Sequence, residues 1–461
     1  MKRKVSALRI LMALMALCMV LFAGAVTVAP DSEPSEMTQN PWPMFRGDLK
    51  HTGSSPAKAP DTNHTKWVFP TSDPILSSAA IVDGKVFVSC DDFNLYCIDI
   101  NNGQEIWHFP AGNRIRSSPA VADGKVFFGS DSTDNRVYCV DVTTHNEVWN
   151  YSADGAVVSS PAIWNGRVYV GTNSGRLLCL NENTGSEFWN YSCNSGAPPN
   201  AVYSSPAVTG GRVFFGSHDK NLYCLNATTK AVIWHYLSAG EITSSPAVVN
   251  GKVFFGTFDY SNPRLNCVYA IPENDPNSDG VISENEVLWN YTAGDLVYPS
   301  PAVSDHKVFI GSKNRKLYCL DETNGAMLWN YTTGFTANHV EQNGFISSPA
   351  VADGKVYVNA WNRSFYCFDA DGFSDGTDDG VPDSHVNNSD LIWSYRLSES
   401  GDGGVCSPAI ADGMVFIGSG VGNLYCFGPA SAPEFPVIAV VIVTVSAIFI
   451  AAEVRAGRDS E

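Results

Sequence analysis

The side chains best suited to chemistry in this 461-residue chain lie in one acidic stretch, residues 275–286. Oxygen-bearing side chains stand at its first, third, fifth, ninth and twelfth positions, glycine stands sixth, and a backbone carbonyl would serve at the seventh. These residues are Asp275, Asn277, Asp279, Gly280, Val281, Ser283 and Glu286. This spacing wraps oxygen ligands around a cation, so it predicts a Ca²⁺ site with a bidentate Glu286. An ordinary surface turn is the alternative, because Asp and Asn also favour turns.

A second acidic stretch, residues 375–383, follows a similar plan. Its oxygen-bearing or carbonyl positions are Asp375, Thr377, Asp379, Val381 and Asp383. The first stretch resembles the EF-hand and dockerin-type loops, and the second resembles the Asp-rich loops of extracellular calcium modules. The second departs from the pattern at its twelfth position, where Val386 replaces the bidentate acid. A Ca²⁺ ion at either place is expected to neutralise carboxylates and stiffen a long loop.

No constellation for catalysis accompanies these loops. The nine histidines are scattered singly, and no phosphate-binding, dinucleotide-binding or zinc-binding motif occurs. The chain has 47 acidic and 29 basic residues, for a net charge of −18. Because nucleic-acid binding needs clustered Lys and Arg, this balance argues against a nucleic-acid partner. The sequence therefore predicts no catalytic residues.

The elements that must position these loops belong to a repeat, which is marked by Ser-Pro-Ala or a close variant. Its copies begin at Ser78, Ser118, Ser160, Ser205, Ser245, Ser300, Ser348 and Ser407. Most copies continue with an Asp-Gly or Asn-Gly turn, a Val-Phe or Val-Tyr strand, a Leu-Tyr-Cys strand or variant, and a Trp strand. Asp-Gly between alternating apolar residues predicts a tight hairpin. Each copy is therefore predicted to form four short antiparallel strands, A to D.

Eight such copies predict an all-β fold, an eight-bladed β-propeller that spans residues 65–428. The strand D tryptophans are Trp67, Trp107, Trp149, Trp189, Trp234, Trp289, Trp329 and Trp393. The first of them precedes the first repeat, whereas the last repeat stops after its Cys strand at Phe427. We therefore expect the N-terminal strand to complete blade 8 and close the ring, which removes exposed sheet edges. A stacked solenoid is the rival fold, but it needs no closing strand.

The cysteines fit buried positions better than disulfides. Seven share one register in seven blades: Cys97, Cys139, Cys179, Cys224, Cys319, Cys367 and Cys426. Equivalent positions one blade apart are not expected within the ~7 Å between Cα atoms that a disulfide requires. These seven are predicted to be small buried apolar side chains. Cys90, Cys193, Cys267 and Cys406 lie outside the register and could pair.

The interval from Cys to Trp carries a family resemblance. Cys97–Trp107 and Cys319–Trp329 read Cys-x-Asp-x-x-x-Gly-x-x-x-Trp and resemble the tryptophan-docking motif of PQQ-type propellers. Residues 26–64 would form a lead-in, in which Trp42–Asp48 also looks like the start of such proteins. The resemblance implies that each Trp lies between adjacent blades and that its indole N–H bonds to a main-chain acceptor.

Members of this fold family differ in function. Quinone-dependent alcohol or sugar dehydrogenases use PQQ and Ca²⁺, and similar propeller lipoproteins act as scaffolds in bacterial outer-membrane assembly. PQQ is not expected here, because the chain lacks the adjacent Cys pair that lies over the quinone in many dehydrogenases. The chain is also short for that class, and its candidate calcium loops are peripheral.

The two ends of the chain are predicted to direct export and anchoring. Residues 1–25 have a basic start, an apolar run and a small-residue cleavage site, which is typical of a signal peptide. Residues 429–436 would be a linker, 437–452 a transmembrane helix and 453–461 a basic cytoplasmic tail. Pro433-Glu434-Phe435 before the apolar run resembles the PEF-type sorting signal of archaeal surface proteins.

These features predict a non-catalytic scaffold at the cell surface, with an unknown protein or glycan partner at the envelope. Variable loops on a rigid ring are the usual place for recognition. Here they include 193–203, 333–344, 397–404 and 312–316. The alternatives are a PQQ-dependent dehydrogenase and an envelope carbohydrate-binding protein. Glycosylation sequons begin at Asn63, Asn150, Asn190, Asn226, Asn290, Asn330, Asn362 and Asn387, with Asn63, Asn226 and Asn387 the better acceptors.

Overall fold

The repeat folds into eight antiparallel sheets, each of which is one blade of a β-propeller. The computed structural model describes residues 40–193, 200–334, 344–372, 391–398 and 405–429. In these residues the inner strands A of successive blades contact one another from blade 1 through blade 8 and back to blade 1. The predicted all-β, eight-bladed propeller is thus confirmed.

The strands before and within the first four blades have the following bounds. Two strands precede blade 1: β1 (Ser54–Ser55) and β2 (Thr65–Pro70). Blade 1 contains β3 (Ala80–Val82), β4 (Lys85–Ser89), β5 (Asn94–Asp99) and β6 (Glu105–Pro110), and blade 2 contains β7 (Ala120–Ala122), β8 (Lys125–Gly129), β9 (Arg136–Asp141) and β10 (Glu147–Ser152). Blade 3 contains β11 (Ala162–Trp164), β12 (Arg167–Gly171), β13 (Arg176–Asn181) and β14 (Glu187–Ser192), and blade 4 contains β15 (Ala207–Thr209), β16 (Arg212–Gly216), β17 (Asn221–Asn226) and β18 (Val232–Leu237).

The remaining blades follow the same order. Blade 5 contains β19 (Ala247–Val249), β20 (Lys252–Gly256), β21 (Cys267–Pro272) and β22 (Trp289–Thr292), with 3₁₀ turns at Pro263–Leu265 and Glu284–Glu286. Blade 6 contains β23 (Ala302–Ser304), β24 (Lys307–Gly311), β25 (Lys316–Asp321) and β26 (Met327–Thr332), and blade 7 contains β27 (Ala350–Ala352), β28 (Lys355–Asn359), β29 (Ser364–Asp369) and β30 (Leu391–Arg396). Blade 8 contains β31 (Ala409–Ala411), β32 (Met414–Gly418) and β33 (Asn423–Phe427).

Strand β2 completes blade 8, as the sequence predicts. It pairs antiparallel with β33, with Trp67 opposite Cys426 and Pro70 opposite Asn423. The outer strand of the last blade therefore comes from the start of the ring, and the closure depends on main-chain pairing between distant parts of the chain.

The hairpins between strands A and B form at the predicted positions. Both central residues have positive φ in all eight, as in Asp123 (+47°) and Gly124 (+71°). A type I′ turn needs this conformation, and its twist matches that of the flanking strands. Six of the eight turns carry Asp-Gly or Asn-Gly, and the other two carry Gly210-Gly211 and Asp305-His306.

Each blade repeats one packed layer across strands B, C and D. In blade 1, Phe87 lies opposite Cys97, which lies opposite Trp107. The aromatic ring of strand B and the tryptophan are 5.8–5.9 Å apart between centroids in all eight blades. The register cysteines are fully buried, and burial raises the pKa of the Cys97 thiol to about 12. All eleven described cysteines are free thiols, so the four outside the register do not pair.

Six of the eight tryptophans bond to main-chain acceptors between blades. Trp149 donates to the Glu182 carbonyl of the next blade at 2.8 Å, and the ring lies where a Cβ on Gly185 would stand. The expectation is wrong for Trp107 and Trp189, whose indole N–H groups have no partner in the described residues. In the blades that follow these two tryptophans, the turn position that corresponds to Gly185 is occupied by His145 and by Lys230, respectively. Both residues have positive φ.

The lead-in segment, residues 42–60, lies along the inner strands of the ring. Its carbonyls accept hydrogen bonds from strands A of blades 1, 2, 4, 5, 6 and 7 at 2.7–2.8 Å. Its strand β1 pairs in parallel with β27. Pro60 accepts from the Trp393 indole at 3.4 Å, and so it replaces the C–D turn that blade 8 lacks.

No helix in the described ranges is long and apolar enough to cross a membrane. The signal peptide predicted at 1–25 and the apolar run at 437–452 both lie outside the described residues.

Candidate functional site

A ring of serines surrounds the axis of the propeller. Each is the first residue of a Ser-Pro-Ala-type element. From Ser78 round to Ser407, each backbone N–H donates to the hydroxyl of the next blade's serine at 2.9–3.0 Å. These seven bonds link all eight blades at the axis. The repeated serine therefore joins neighbouring sheets.

The serine ring lines a pit of about 180 Å³. The other lining positions lie two residues before each serine, in the D–A loops. They are Leu76, Arg116, Val158, Tyr203, Thr243, Tyr298, Ile346 and Val405, and Phe45 of the lead-in also lines the pit. Apolar, aromatic and hydroxyl groups therefore share one enclosed wall.

The lead-in fills the axis next to this pit. The guanidinium of Arg46 is buried and donates to the Pro349 carbonyl and, at 2.9 Å, to the Pro301 carbonyl. Burial lowers the pKa of Arg46 to about 9 and that of buried His51 to about 3. Both groups depend on the carbonyls of the Ser-Pro-Ala elements, so the lead-in is a structural part of the ring.

A row of aromatic rings borders the pit on blades 4 to 6. Ring centroids are 4.9 Å apart for Tyr203 and His218, 5.4 Å for His218 and Phe258, and 5.1 Å for Phe258 and Tyr298. The hydroxyl of Tyr298 donates to that of Tyr260 at 2.6 Å. Tyr203 is 37% exposed and Tyr260 is 76% exposed, so the row reaches solvent.

The polar groups beside this row are held in place. The two ring nitrogens of His218 lie 2.9 Å from Thr243 Oγ1 and 3.2 Å from Glu241 Oε2. Burial lowers the pKa of His218 to about 4, so the imidazole is neutral at pH 7. Across the pit, Arg116 contacts Asp91 at 3.3 Å and Asp131 at 3.4 Å. Among the lining residues that the structure describes, Arg116 is the one cation, and two carboxylates match it.

The acidic stretch 275–286 lies in the C–D loop of blade 5, between β21 and β22. Asp275 accepts N–H groups from Asn277, Ser278 and Gly280 at 2.8–3.2 Å. Gly280 has φ +89°, as the sharp turn requires. The loop also covers blade 4 through two main-chain hydrogen bonds. The backbone N–H of His235 in β18 donates to the Gly280 carbonyl, and the His235 carbonyl accepts from the Ile282 N–H. The insertion thus clamps two blades together.

The ligand set of this loop is partly formed. Glu286 Oε2 accepts from the N–H and the hydroxyl of Ser283 at 2.8 Å, which caps the 3₁₀ turn. A carboxylate offers about four lone-pair sites, so Asp275 and Glu286 each retain capacity for a cation. Across the described residues, however, no three His, Cys, Asp or Glu side chains lie close enough to share a metal ion. The positions 375–383 lie outside the described residues.

Comparison with known proteins places the chain in a family. The profile described as outer membrane protein assembly factor BamB matches residues 56–270 and 275–374, more than half of the chain. The chain belongs to this family. None of the curated proteins compared with it matches.

Solved structures share the family's fold at low sequence identity. BamB from Moraxella catarrhalis is 13% identical with a TM-score of 0.62, covering 79% of this chain and 99% of that one. Quinohemoprotein alcohol dehydrogenase from Comamonas testosteroni is also 13% identical with a TM-score of 0.64, covering 86% and 82%. A europium-containing methanol dehydrogenase is 12% identical with a TM-score of 0.63, covering 86% and 99%. At these identities the likeness concerns the fold alone.

The axis of this family member is a poor fit for PQQ. Small-molecule sites usually have volumes of roughly 300–1,000 Å³, whereas the pit has about 180 Å³. PQQ also carries three carboxylates, and the only cation among the described residues of the lining, Arg116, already contacts Asp91 and Asp131. No step of a quinone reaction can be assigned to these residues.

Sequence reasoning missed the pit, although part of its signal was available. The serine before proline recurs in all eight copies, and a polar residue at a fixed inner position could have suggested a ring of contacts. The aromatic row carried no such signal, because its members come from unequal loops of three blades. The variable loops expected to mediate recognition lie partly outside the described residues, at 194–199, 335–343 and 399–404.

Proposed function

We propose that the chain is an exported, non-catalytic binding scaffold of the cell envelope. The main support is what occupies the axis of the ring, the place where a PQQ-type propeller could hold a cofactor. Here Arg46 and the rest of the lead-in occupy it, and the pit at the serine ring has only about 180 Å³. A rigid ring with exposed loops suits recognition better than turnover. Membership of the BamB family supports the same role.

The ends of the chain would place this scaffold outside the cell. We propose that residues 1–25 direct export and that 437–452 anchor the protein, either as a permanent helix or until sorting at the PEF-type motif. An archaeal surface is the setting that this motif suggests. Asn63 is exposed and Asn330 is buried, which favours glycosylation of the former over the latter.

Affinity capture from native membranes tests the scaffold role. The full-length protein, cross-linked in its own envelope, is expected to co-purify with the same partner at constant stoichiometry. A variant shortened in the exposed loop around Tyr260 serves as a probe of the rim, with Phe188→Ala on the lateral face as its control. Failure to retain any partner above the level of an unrelated propeller would contradict the proposal.

A reconstitution assay tests the competing dehydrogenase. Purified protein is mixed with PQQ and Ca²⁺ and assayed with alcohols, sugars and an artificial electron acceptor. We expect neither tight quinone binding nor turnover, because the pit cannot admit the cofactor beside Phe45. Dye reduction that depends on both PQQ and substrate would establish the dehydrogenase instead.

We also propose that residues 275–286 bind Ca²⁺ and that the ion tightens the clamp between blades 4 and 5. At a hundredfold excess of ion over its dissociation constant, binding adds about 2.7 kcal/mol to the free energy of unfolding. Calcium should therefore raise the melting temperature relative to a chelator, and Asp275→Asn combined with Glu286→Gln should reduce the shift. Asp123→Asn, which changes a hairpin acid in blade 2, is the control. The separate variant Asp379→Asn tests the second stretch, 375–383.

A further inference from the structure

The serine ring presents hydrogen-bond donors that the protein does not use. Each hydroxyl from Ser118 to Ser407 accepts an N–H from the preceding blade. In the described part of the chain, none of these hydroxyls donates to another protein group. Their O–H groups and remaining lone pairs are therefore available to whatever occupies the pit.

Two tyrosines of the aromatic row stand in the lining of the same pit, which is otherwise largely polar. Tyr203 and Tyr298 both line it, and buried Phe258 packs between them and fixes the orientation of the row. Val158 belongs to the lining from blade 3. A ligand in the pit would thus contact ring faces as well as many hydroxyl groups.

The charges around the pit favour a neutral occupant. Arg116 is balanced by Asp91 and Asp131, and neutral His218 separates the aromatic wall from Glu241. A free anion would find its one cation already paired, and a free cation would face Arg116. Burying an unpaired charge is costly. The hydroxyl groups of a neutral ligand instead replace their hydrogen bonds to water by hydrogen bonds to the serine ring, at little cost in free energy.

We propose that the pit binds the terminal pyranose ring of a neutral glycan. A pyranose has an apolar C–H face that can lie on Tyr203 or Tyr298, and its hydroxyls both donate and accept, as the serine ring does. The volume of about 180 Å³ equals roughly six water molecules at about 30 Å³ each, which suits one sugar ring. A second sugar unit would lie at the mouth, against exposed Tyr260.

This proposal does not rest on the scaffold role, and different experiments test the two, so either proposal can fail alone. Isothermal titration of the full-length protein with glucose, mannose, galactose and N-acetylglucosamine tests it. We expect saturable binding of at least one sugar, weakened at least about tenfold by Tyr203→Ala, a loss of about 1.4 kcal/mol. Phe188→Ala, which removes a 47%-exposed ring from the lateral face, is the matched control and should leave binding unchanged.

A second variant guards against indirect effects on folding. Val158→Trp fills the pit from blade 3, and it should abolish sugar binding while the melting temperature stays close to that of the wild type. Partner capture from membranes should survive in this variant. No saturable binding of any sugar, or equal binding by the wild type and Val158→Trp, would overturn the proposal.

The source of the sugar is distinguished by two further arms. Neutral polysaccharide fragments and N-linked glycans released from envelope proteins are titrated separately. Tighter binding of one set identifies the source, and both sets should lose affinity in Tyr203→Ala. If the affinity for either set were unchanged in Tyr203→Ala, that result would contradict a site in the pit.

Discussion

Single residues decide how firmly neighbouring blades are joined. The tryptophan of one blade packs against the C–D turn of the next blade. Its indole N–H can donate to the carbonyl that lies three residues after the strand C cysteine of that next blade. Where that turn carries glycine, as at Gly103, Gly185 and Gly325, the ring approaches closely and the bond forms. Where it carries His145 or Lys230, the bond is absent. At these five contacts between blades, the indole hydrogen bond forms where the turn residue is glycine and is absent where that residue has a Cβ atom.

The two kinds of seam should respond differently to Trp→Phe. Trp289 donates to the Glu322 carbonyl at 3.0 Å, whereas Trp189 has no partner. Trp289→Phe removes the shorter of two hydrogen bonds to the Glu322 carbonyl, which keeps Lys252 Nζ at 3.3 Å, and should cost about 1 kcal/mol more than Trp189→Phe. Urea unfolding of both variants measures the difference. Equal losses would mean that the indole bond does not contribute.

The lead-in histidine should make stability depend on pH. His51 is buried beside Arg46, and burial lowers its pKa to about 3. The unfolded chain binds the proton near pH 6.5, so the contribution of His51 is complete above pH 6.5 and is lost as the pH falls towards 3. At pH 5.5 the loss is about 1 kcal/mol relative to pH 7.5 or above.

Unfolding free energies at pH 5.5 and 7.5 measure this loss. His51→Gln should make the protein less sensitive to acid. His64→Gln is the control, because that side chain is exposed. Equal pH dependence of the wild type and His51→Gln would contradict the assignment.

At the scale of elements, the C–D turns and the lead-in connect sheets that share no backbone hydrogen bonds. The turn of blade 5 extends over β18 of blade 4, and the lead-in reaches strands A of six blades through its carbonyls. Pro60 replaces a turn that blade 8 does not have. The C–D turns and the lead-in therefore supply hydrogen bonds between neighbouring blades, which pairing between strands does not supply.

Two glycines with the same backbone conformation separate turn strain from blade contact. Gly103 and Gly124 both have φ +71°. A Cβ on Gly124 would meet nothing within 4 Å, whereas a Cβ on Gly103 would stand 2.6 Å from the ring of Trp67. Gly124→Ala should cost about 1 kcal/mol from the left-handed conformation, and Gly103→Ala about 2 kcal/mol more from overpacking. Thermal unfolding compares them, and similar losses would mean that the turn moves away from Trp67 freely.

At the scale of the whole molecule, the ring is closed by β2 rather than by a covalent link. Its seam with blade 1 is built like the interior ones, since Trp67 donates to the Ile100 carbonyl at 2.9 Å and lies on Gly103. A closed ring gives every blade two neighbours. Stability should therefore be shared around it instead of declining towards one end.

Trp67→Ala and Trp149→Ala test this equivalence. The two side chains are 8% and 7% exposed, both bond to a carbonyl, and both contact a glycine. Each substitution should cost about 3–5 kcal/mol of unfolding free energy. A much smaller effect at Trp67 would indicate that the closing strand frays and that the ring behaves as an open chain.

The sequence alone determined the blades. Hairpin turns, alternating apolar strands and the Trp–Gly spacing are local patterns, and eight copies of them make the fold readable without knowledge of distant contacts. Even the closing strand was predictable, because a lone Trp strand at the start and a missing one at the end complement each other. The acidic loop was likewise placed correctly, although its affinity for Ca²⁺ remains a prediction.

Only the tertiary structure decided what lies at the axis. The course of the lead-in depends on Arg46 meeting carbonyls more than 250 residues away, and nothing near it in the sequence indicates those partners. The pit gathers the residues two places before each serine from all eight blades, and the aromatic row adds His218, Phe258 and Tyr260 from unequal loops. The curvature of the closed ring brings these residues together, although they are distant along the chain.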